Sequence, residues 1–285
     1  MNDLTPVLIE ASALRETLRG PHPPLVLDCR FELSNPASGR ESFAQGHIPG
    51  AFYLHLDEDL SGPKDVDGHF RGRHPLPTRE DFAARLAGLG WQPGRPVVAY
   101  DAQGGMYAAR LWWMLRWLGE TQIQLLNGGW GAWLAAGGDS ARETAMPQAA
   151  PVPLSLPPEG MRTTTADQVQ AQLGAVLLVD ARGPERYRGE VEPLDAQPGH
   201  IPGAVNRPFG LNLQADGRFK PAAQLRAEWV QHGAVNGATV HQCGSGVTAC
   251  HNLFSQALAG LGEGVLYPGS WSEWCRDPRR PVAMG

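Results

Sequence analysis

The sequence predicts an α/β protein of two tandem domains, each built on a mainly parallel sheet flanked by helices. Short apolar runs alternate with helical patterns along the chain, which is typical of parallel strands joined by crossover helices. The two halves also repeat each other in order, and a proline-rich segment lies between them. A chain of 285 residues is long enough for two domains of ordinary size.

Three short apolar strands are predicted in each half. The first half has them at 25–28, 97–100 and 123–126, and the second half has them at 176–180, 239–242 and 265–267. A clear helical pattern follows the strand at 239–242, with apolar residues at helical spacing between Ala249 and Leu261. This order of strands and helices favours a parallel sheet in each half.

The internal repeat is visible in two sequence runs. Gly-His-Ile-Pro-Gly-Ala occurs at 46–51 and again at 199–204, and the strand end Asp-Cys-Arg at 28–30 recurs as Asp-Ala-Arg at 180–182. Matching runs later in the two halves are separated by fewer residues than these two. The first half therefore carries extra residues, around 57–74. Because the order is the same in both halves, we interpret the chain as a duplication.

The domain boundaries follow from this repeat. We predict a first domain at 1–142, a linker at 143–160 and a second domain at 161–285. Five prolines lie between Met146 and Gly160, which favours a semi-rigid linker. Aligning the halves places Asp101 where Cys243 stands. The first domain is therefore predicted to be catalytically inactive and the second to be catalytic.

Cys243 is the predicted nucleophile. It follows the strand at 239–242 and opens a loop of small residues that runs into a helix. Gly244 and Gly246 allow backbone N–H groups of this loop to turn inward, and the helix N-terminus adds partial positive charge. Both effects favour a thiolate, which is the reactive form of cysteine.

Composition excludes several classes of function. The net charge of −5 gives no electrostatic footprint for nucleic acid, and no apolar run is long enough to cross a membrane. The N-terminus lacks a secretory signal, so we expect a cytoplasmic protein with free thiols. The four cysteines have no zinc-type spacing, and we predict no metal site. Cys29 and Cys250 are expected in structural positions and Cys275 nearer the surface.

Together these residues resemble the tandem-domain rhodanese / 3-mercaptopyruvate sulfurtransferase family over essentially the whole chain. The resemblance rests on the two Gly-His-Ile-Pro-Gly runs, the repeated Asp-x-Arg strand ends, the first-half loop without a thiol, and residues 243–249. That last stretch reads Cys-Gly-Ser-Gly-Val-Thr-Ala, as in the mercaptopyruvate branch. The resemblance implies two rhodanese-like domains and a sulfurtransferase that carries sulfur as a persulfide on Cys243. It implies no metal or organic cofactor, because the sulfur is carried covalently.

The resemblance also implies a sulfur donor. Arg186 stands where the family has its substrate-binding arginine, and a guanidinium can hold the carboxylate of mercaptopyruvate with two parallel hydrogen bonds. A second family arginine is missing, because residues 192–195 read Glu-Pro-Leu-Asp, with Leu194 near its place. Arg188 is a candidate to take the place of this second arginine. Thiosulfate is the alternative donor, although its branch carries Arg and Lys where this chain has Gly244 and Ser245.

Further site residues come from the same resemblance. Ser245, His74 and Asp57 match a Ser–His–Asp arrangement that would help to move a proton, and Asp59 competes for the aspartate position. The remaining predicted substrate-binding residues are those of the active loop, namely Gly244, Gly246, Val247 and Thr248. The implied partners are a small-molecule sulfur donor and a thiol acceptor such as a thioredoxin or a small dithiol.

Two functions of other classes are weighed against this one. A cysteine-dependent phosphatase needs an arginine that closes a Cys-x5-Arg loop, and Ala249 stands at that position. A non-enzymatic sulfur-binding or scaffolding module is the second alternative, and the intact loop at Cys243 argues against it. The sequence therefore favours a sulfurtransferase.

Overall fold

A computed structural model describes residues 7–147, 155–234 and 238–285, which fall into two compact units. The first unit takes the described residues of Met1–Leu60, Pro77–Gly160 and Ala215–Phe219. The second unit takes those of Ser61–Leu76, Met161–Gln214 and Lys220–Gly285. The predicted domains are continuous stretches of the chain. In the structure, each unit also includes a segment from the other half, residues 215–219 in the first unit and residues 61–76 in the second. Residues 148–154 of the predicted linker lie outside the described residues.

The first unit contains a five-stranded sheet in which all neighbours are parallel. Its strands lie in the order Leu8–Ile9, Ile123–Leu126, Val97–Tyr100, Leu25–Asp28 and Phe52–Tyr53. Its helices are Ala11–Leu18, Ser38–Gln45, Arg79–Gly88, Ala108–Trp117 and Gly129–Ala135. The three predicted strands occur at the predicted residues. The two edge strands are only two residues long, too short to leave a periodic pattern.

The second unit repeats this topology. Its parallel strands lie in the order Arg162–Thr163, Val265–Leu266, Thr239–Gln242, Leu177–Asp180 and Val205–Asn206. Its helices are Ala166–Ala171, Pro184–Arg188, Ala222–Gln231, Thr248–Leu258 and Ser270–Trp274, with a 3-10 turn at Phe209–Asn212. The predicted α/β fold with two parallel sheets is confirmed. In both units the central strand is the one that leads into the loop at Asp101 or Cys243.

A buried ion pair fixes the strand end in the first unit. The guanidinium Nη2 of Arg30 lies 2.6 Å from Asp28 Oδ2 and donates to the carbonyl of Gly46 at 2.7 Å. The same guanidinium lies over the indole of Trp130, 4.9 Å from the ring centroid. Because the charge is paired and hydrogen-bonded on several sides, it links the strand to the Gly-His-Ile-Pro-Gly turn.

The second unit builds the same pair. Arg182 Nη2 lies 2.7 Å from Asp180 Oδ2, donates to the carbonyl of Gly199 at 2.8 Å, and the guanidinium stands 4.8 Å from the Trp271 ring centroid. The coulombic attraction of Asp180 raises the pKa of Arg182 against the opposing effect of its burial. The arginine of each Asp-x-Arg run is therefore a structural group.

The extra residues of the first half belong to the second unit. Within Ser61–Leu76, strand Asp65–Val66 pairs antiparallel with His69–Phe70. After this hairpin, the backbone N–H of Arg73 donates to Ser272 Oγ at 3.1 Å. An insertion that interrupts the repeat in the first half therefore completes the second unit.

The four cysteines are all free and buried. The expectation for Cys275 was wrong, since only 1% of this residue is exposed. It follows helix Ser270–Trp274 and packs in a core cluster with Tyr267, Trp271 and Trp274. Within the parts of the chain that the structure describes, no helix combines the length and apolarity needed to cross a bilayer.

His241 is a buried base whose protonation opposes folding. Burial lowers its pKa to about 3, and the charge of Arg207 acts in the same direction. Its Nε2 lies 2.9 Å from Gln256 Oε1. The folded protein therefore keeps this imidazole neutral at pH values where the unfolded chain, with an ordinary histidine pKa near 6.5, already binds a proton.

We expect the free energy of unfolding to fall as pH drops from about 6.5 towards 3, by at most about 1.4 kcal/mol per pH unit for this one group. Above that window His241 contributes no pH dependence. Urea unfolding of the wild type and His241→Gln over this range measures the effect, and the variant is expected to show the shallower slope. Identical slopes would contradict the assignment.

Candidate active site

Cys243 lies at the carboxyl end of the central strand of the second unit, with 2% of the residue exposed. Its Sγ accepts two backbone hydrogen bonds, from Gly246 N–H at 3.1 Å and from Ser245 N–H at 3.4 Å. Inward-pointing N–H dipoles of this kind stabilise negative charge on the sulfur. The loop geometry predicted from the glycine pattern is present in the second unit.

The loop needs glycine at position 246 for two reasons. Its φ is +77°, in the left-handed region that side chains rarely adopt. A Cβ at this position would also lie 2.4 Å from the carbonyl oxygen of Pro268. Only a residue without a side chain therefore lets the N–H reach the sulfur while the backbone passes this close to Pro268.

The helix that follows the loop begins next to the sulfur. It spans Thr248–Leu258, with the buried Val247 as its N-cap and no side chain capping it. The first N–H groups of such a helix carry partial positive charge. Cys250, one turn into the helix, donates its thiol to the carbonyl of Gly246 at 3.2 Å and is fully buried, which fits the predicted core position.

Ser270 supports the loop from behind, a role that the sequence patterns do not predict. Its φ of +54° is strained for a residue with a side chain, and the residue is fully buried. Its Oγ accepts the backbone N–H of Cys243 at 3.2 Å, while Trp271 N–H donates to the Cys243 carbonyl at 3.0 Å. Gly129 occupies the equivalent place in the first half and has a similar φ of +56°. A glycine at the matching position of the repeat is the sequence signal that could have pointed to the strained backbone of Ser270.

Asp101 fills the corresponding loop of the first unit with its own carboxylate. Each of its two oxygens accepts two backbone N–H groups at 2.8 to 3.0 Å, from Gln103, Gly105, Tyr107 and Ala108. Burial raises the pKa of Asp101, and these four N–H groups oppose that rise. In this loop a fixed carboxylate therefore stands where the second unit has its thiol.

His74 and Ser245 are brought together within the second unit. His74 Nδ1 lies 2.7 Å from Ser245 Oγ, and both residues are buried. Asp57, the third predicted partner, lies in the first unit, half-buried, with its backbone N–H donating to His55 Nδ1 at 3.2 Å. Its action on His74 stays a prediction. Asp59, the competing aspartate, is held by Arg85 at 2.6 Å.

Two arginines border the active loop at Gly244. A Cβ at this position would lie 2.6 Å from Nη2 of Arg73 and 3.3 Å from Nη1 of Arg186. Arg186 was predicted at the site, and helix Pro184–Arg188 carries it there. Arg73 was missed, because it reaches the loop from the inserted segment, far from Cys243 in sequence.

Arg188, the suggested replacement for a second arginine, does not lie in this cluster. Its Nε pairs with Glu190 at 2.7 Å, and both side chains are largely exposed. Leu194 is also exposed. Arg73 is therefore the second guanidinium beside the loop, in a position that the chain order did not reveal.

Two buried carboxylates hold these guanidiniums. Asp195 accepts from Arg73 Nε at 2.8 Å and from Arg186 Nη2 at 2.8 Å, so it bridges the two arginines. Glu192 accepts from Arg186 Nη2 at 2.7 Å and lies 3.4 Å from Arg182 Nη1. Both acids follow Arg186 on the same stretch of chain. Because each carboxylate lies between two guanidiniums, negative and positive groups alternate through this cluster.

Among residues 7–147, 155–234 and 238–285, no three His, Cys, Asp or Glu side chains are grouped to bind a metal ion. The two histidines nearest to Cys243 in sequence hydrogen-bond to core amides. His241 contacts Gln256, and His251 Nδ1 lies 3.0 Å from Asn212 Nδ2. The groups that the structure gathers around Cys243 are the Ser245–His74 pair and the guanidiniums of Arg73 and Arg186.

Comparison with known proteins shows which family this chain is similar to. The model of the rhodanese-like domain matches the chain twice, at residues 10–136 and 165–277. A protein of Pseudomonas aeruginosa described as a probable 3-mercaptopyruvate sulfurtransferase is 46% identical over 266 residues, which cover 92% of each chain. The putative thiosulfate sulfurtransferase SseB of Mycobacterium tuberculosis is 42% identical over 283 residues, or 98% of this chain and 97% of that protein.

A solved structure agrees with the sequence relatives. The 3-mercaptopyruvate sulfurtransferase from Leishmania major matches with a TM-score of 0.84 at 30% sequence identity. The match covers 97% of this chain and 76% of the other. The similarity thus extends over both halves of the chain.

Gly246 and Gly203 allow a matched test of the loop. Both have φ near +80°, but a Cβ on Gly203 would meet nothing within 4 Å. We expect Gly203→Ala to lower the free energy of unfolding by about 1 kcal/mol, the ordinary effect of a side chain at positive φ. Gly246→Ala should lower it by at least about 2 kcal/mol more, because the Pro268 carbonyl must move. Equal losses in urea unfolding would contradict this account of the loop.

Proposed function

The chain belongs to the rhodanese family of sulfurtransferases, and we propose that it moves sulfur from 3-mercaptopyruvate to a thiol through a persulfide on Cys243. The observation that carries this proposal is the sulfur of Cys243 held under two loop N–H groups, with two guanidiniums at the neighbouring Gly244. A sulfur suited to act as the nucleophile and two guanidiniums suited to bind a carboxylate thus lie side by side. The donor has the thiol and the carboxylate that such a pair would engage.

The first half-reaction is a displacement at sulfur. The Cys243 thiolate attacks the donor sulfur and forms an S–S bond, and the carbon–sulfur bond of mercaptopyruvate breaks. The carbon keeps the electron pair as the enolate of pyruvate and takes the proton that the donor thiol loses. The products are pyruvate and a Cys243 persulfide anion, so charge and atoms balance. The two N–H groups at Cys243 Sγ support this step because they stabilise a sulfur anion.

Ser245 and His74 supply a route for the proton. Their 2.7 Å contact lets the imidazole accept a proton from the hydroxyl or return it. In this scheme Ser245 faces the donor and His74 positions the hydroxyl. The resemblance implies Asp57 as the third member of this set.

Arg186 and Arg73 would hold the donor carboxylate. Among the residues that the structure describes, no hydrogen bond uses Nη1 of Arg186. This atom is also the second nearest, after Arg73 Nη2, to the place that a Cβ on residue 244 would occupy. A planar guanidinium offers two parallel donors to a carboxylate, which fixes the orientation of the substrate as well as its affinity. The missing side chain at Gly244 leaves room for this contact.

A thiol is the proposed acceptor. It would attack the outer sulfur of the persulfide and regenerate the Cys243 thiolate. Thioredoxin or a small dithiol suits this step in a reducing cytoplasm, since a second thiol can then release the sulfur. Cyanide would serve as an acceptor in vitro and yield thiocyanate.

Thiosulfate is the second candidate donor, and Arg73 is the observation that favours it. A cation beside Gly244 offers the charge that the thiosulfate branch places within its loop. One relative at 42% identity also carries a thiosulfate name. The ratio of kcat/KM for the two donors, with cyanide as acceptor, decides between them.

The persulfide is tested by mass spectrometry. Incubation with mercaptopyruvate and no acceptor is expected to add one sulfur, about 32 Da, to the peptide that contains Cys243. Cys243→Ser should show no added sulfur and no turnover, while Cys275→Ala, which removes another thiol without burying a polar group, should keep both. Pyruvate release at the normal rate from an unmodified Cys243 would eliminate the scheme.

The carboxylate contact is tested with two arginines of one helix. Arg186→Ala is expected to raise KM for mercaptopyruvate at least about tenfold, since a charged hydrogen bond contributes about 1.5–3 kcal/mol. Arg186→Lys should restore little of it, because an ammonium lacks the paired donors. Arg188→Ala is the matched control and should leave KM unchanged, and a KM unaffected by Arg186→Ala would remove this residue from the donor site.

A further inference from the structure

We propose that Asp195 determines which donor the enzyme prefers, by lowering the positive charge of the anion site so that it favours a monoanion over a dianion. The inference rests on the proposed function, in which Arg186 and Arg73 receive the donor. It assigns a specificity role to a carboxylate that contacts the two arginines and takes no part in bond making.

The position of Asp195 is the first support. Its side chain is 2% exposed, and its two oxygens are divided between Arg73 and Arg186. The two arginine side chains are 19% and 21% exposed, so each keeps some surface that a ligand could reach. Asp195 therefore contacts both of the guanidiniums that border Gly244.

The charge balance of the cluster is the second support. Three guanidiniums, on Arg73, Arg182 and Arg186, are matched by three carboxylates, on Asp180, Glu192 and Asp195. Each carboxylate is within 3.4 Å of at least one of these guanidiniums. The site thus has no net charge of its own, although two arginines face the loop.

A neutral cluster distinguishes donors by their charge. A monocarboxylate gains two directed guanidinium contacts and brings one negative charge to the site. A dianion such as thiosulfate brings two charges, and the repulsion by Asp195 acts on each of them. Because this electrostatic free energy is proportional to ligand charge, removing Asp195 should help the dianion twice as much.

The test compares two donors in four proteins. Asp195→Asn keeps the shape of the side chain and removes its charge, Asp195→Glu keeps the charge, and Glu190→Gln removes a surface carboxylate that pairs with Arg188 outside the cluster. The measurement is kcat/KM for thiosulfate divided by kcat/KM for mercaptopyruvate, with cyanide as acceptor, at low and high salt.

We expect Asp195→Asn to raise this ratio about tenfold at low salt and less at high salt, where screening weakens the effect. Asp195→Glu and Glu190→Gln should keep the wild-type ratio. If Asp195→Asn lowers kcat/KM for both donors by the same factor, Asp195 only holds the arginines in place and the inference is overturned. An unchanged ratio overturns it as well.

A binding measurement separates this inference from the proposed function. Calorimetric titration with pyruvate, a monoanion, and sulfate, a dianion, reports the same charge selectivity without turnover. Sulfate should gain about tenfold more affinity than pyruvate in Asp195→Asn, and an equal change for both anions would refute the charge role. Asp195→Ser is a second neutral variant in case the amide disturbs folding. Loss of the persulfide on Cys243 would instead refute the proposed function and leave this result standing.

Discussion

The inward-pointing N–H groups of the loop after the central strand are the constraint on which the site depends. Such a loop needs a hydrogen-bond acceptor at its centre, because buried and converging N–H groups without one are poorly satisfied. In the first unit the carboxylate of Asp101 accepts four of these N–H groups. In the second unit the sulfur of Cys243 accepts two. The same loop therefore surrounds a carboxylate in the first unit and a cysteine sulfur in the second.

Close packing behind the loop keeps that geometry. Gly246 passes so near Pro268 that a side chain would not fit, and Ser270 holds the Cys243 N–H from a strained backbone conformation. The buried Asp180–Arg182 pair ties the neighbouring strand end to the Gly-His-Ile-Pro-Gly turn at Gly199. These contacts place the Cys243 sulfur on closely packed elements, as the proposed displacement at sulfur would require.

The chemistry of the sulfurtransferase site is set by groups brought in from elsewhere in the second unit. Gly244 leaves space that Arg73 and Arg186 enter, and the His74 imidazole reaches Ser245 from the same inserted segment as Arg73. Asp195 links both arginines. The loop itself supplies the sulfur of Cys243 and the N–H groups around it, while in the proposed function the surrounding charges act on an anionic donor.

The sequence by itself determined the parallel α/β fold, the duplication, the central strands and the loop at Cys243. Each of these depends on local patterns: apolar runs of strand length, glycines at fixed offsets and a repeated order. Only the tertiary structure decided that the insertion in the first half joins the second unit, that Arg73 and not Arg188 stands beside Gly244, and that Asp195 bridges two arginines. These contacts join residues more than a hundred positions apart, or depend on which way a long side chain turns, and neither is encoded in the spacing of residues along the chain.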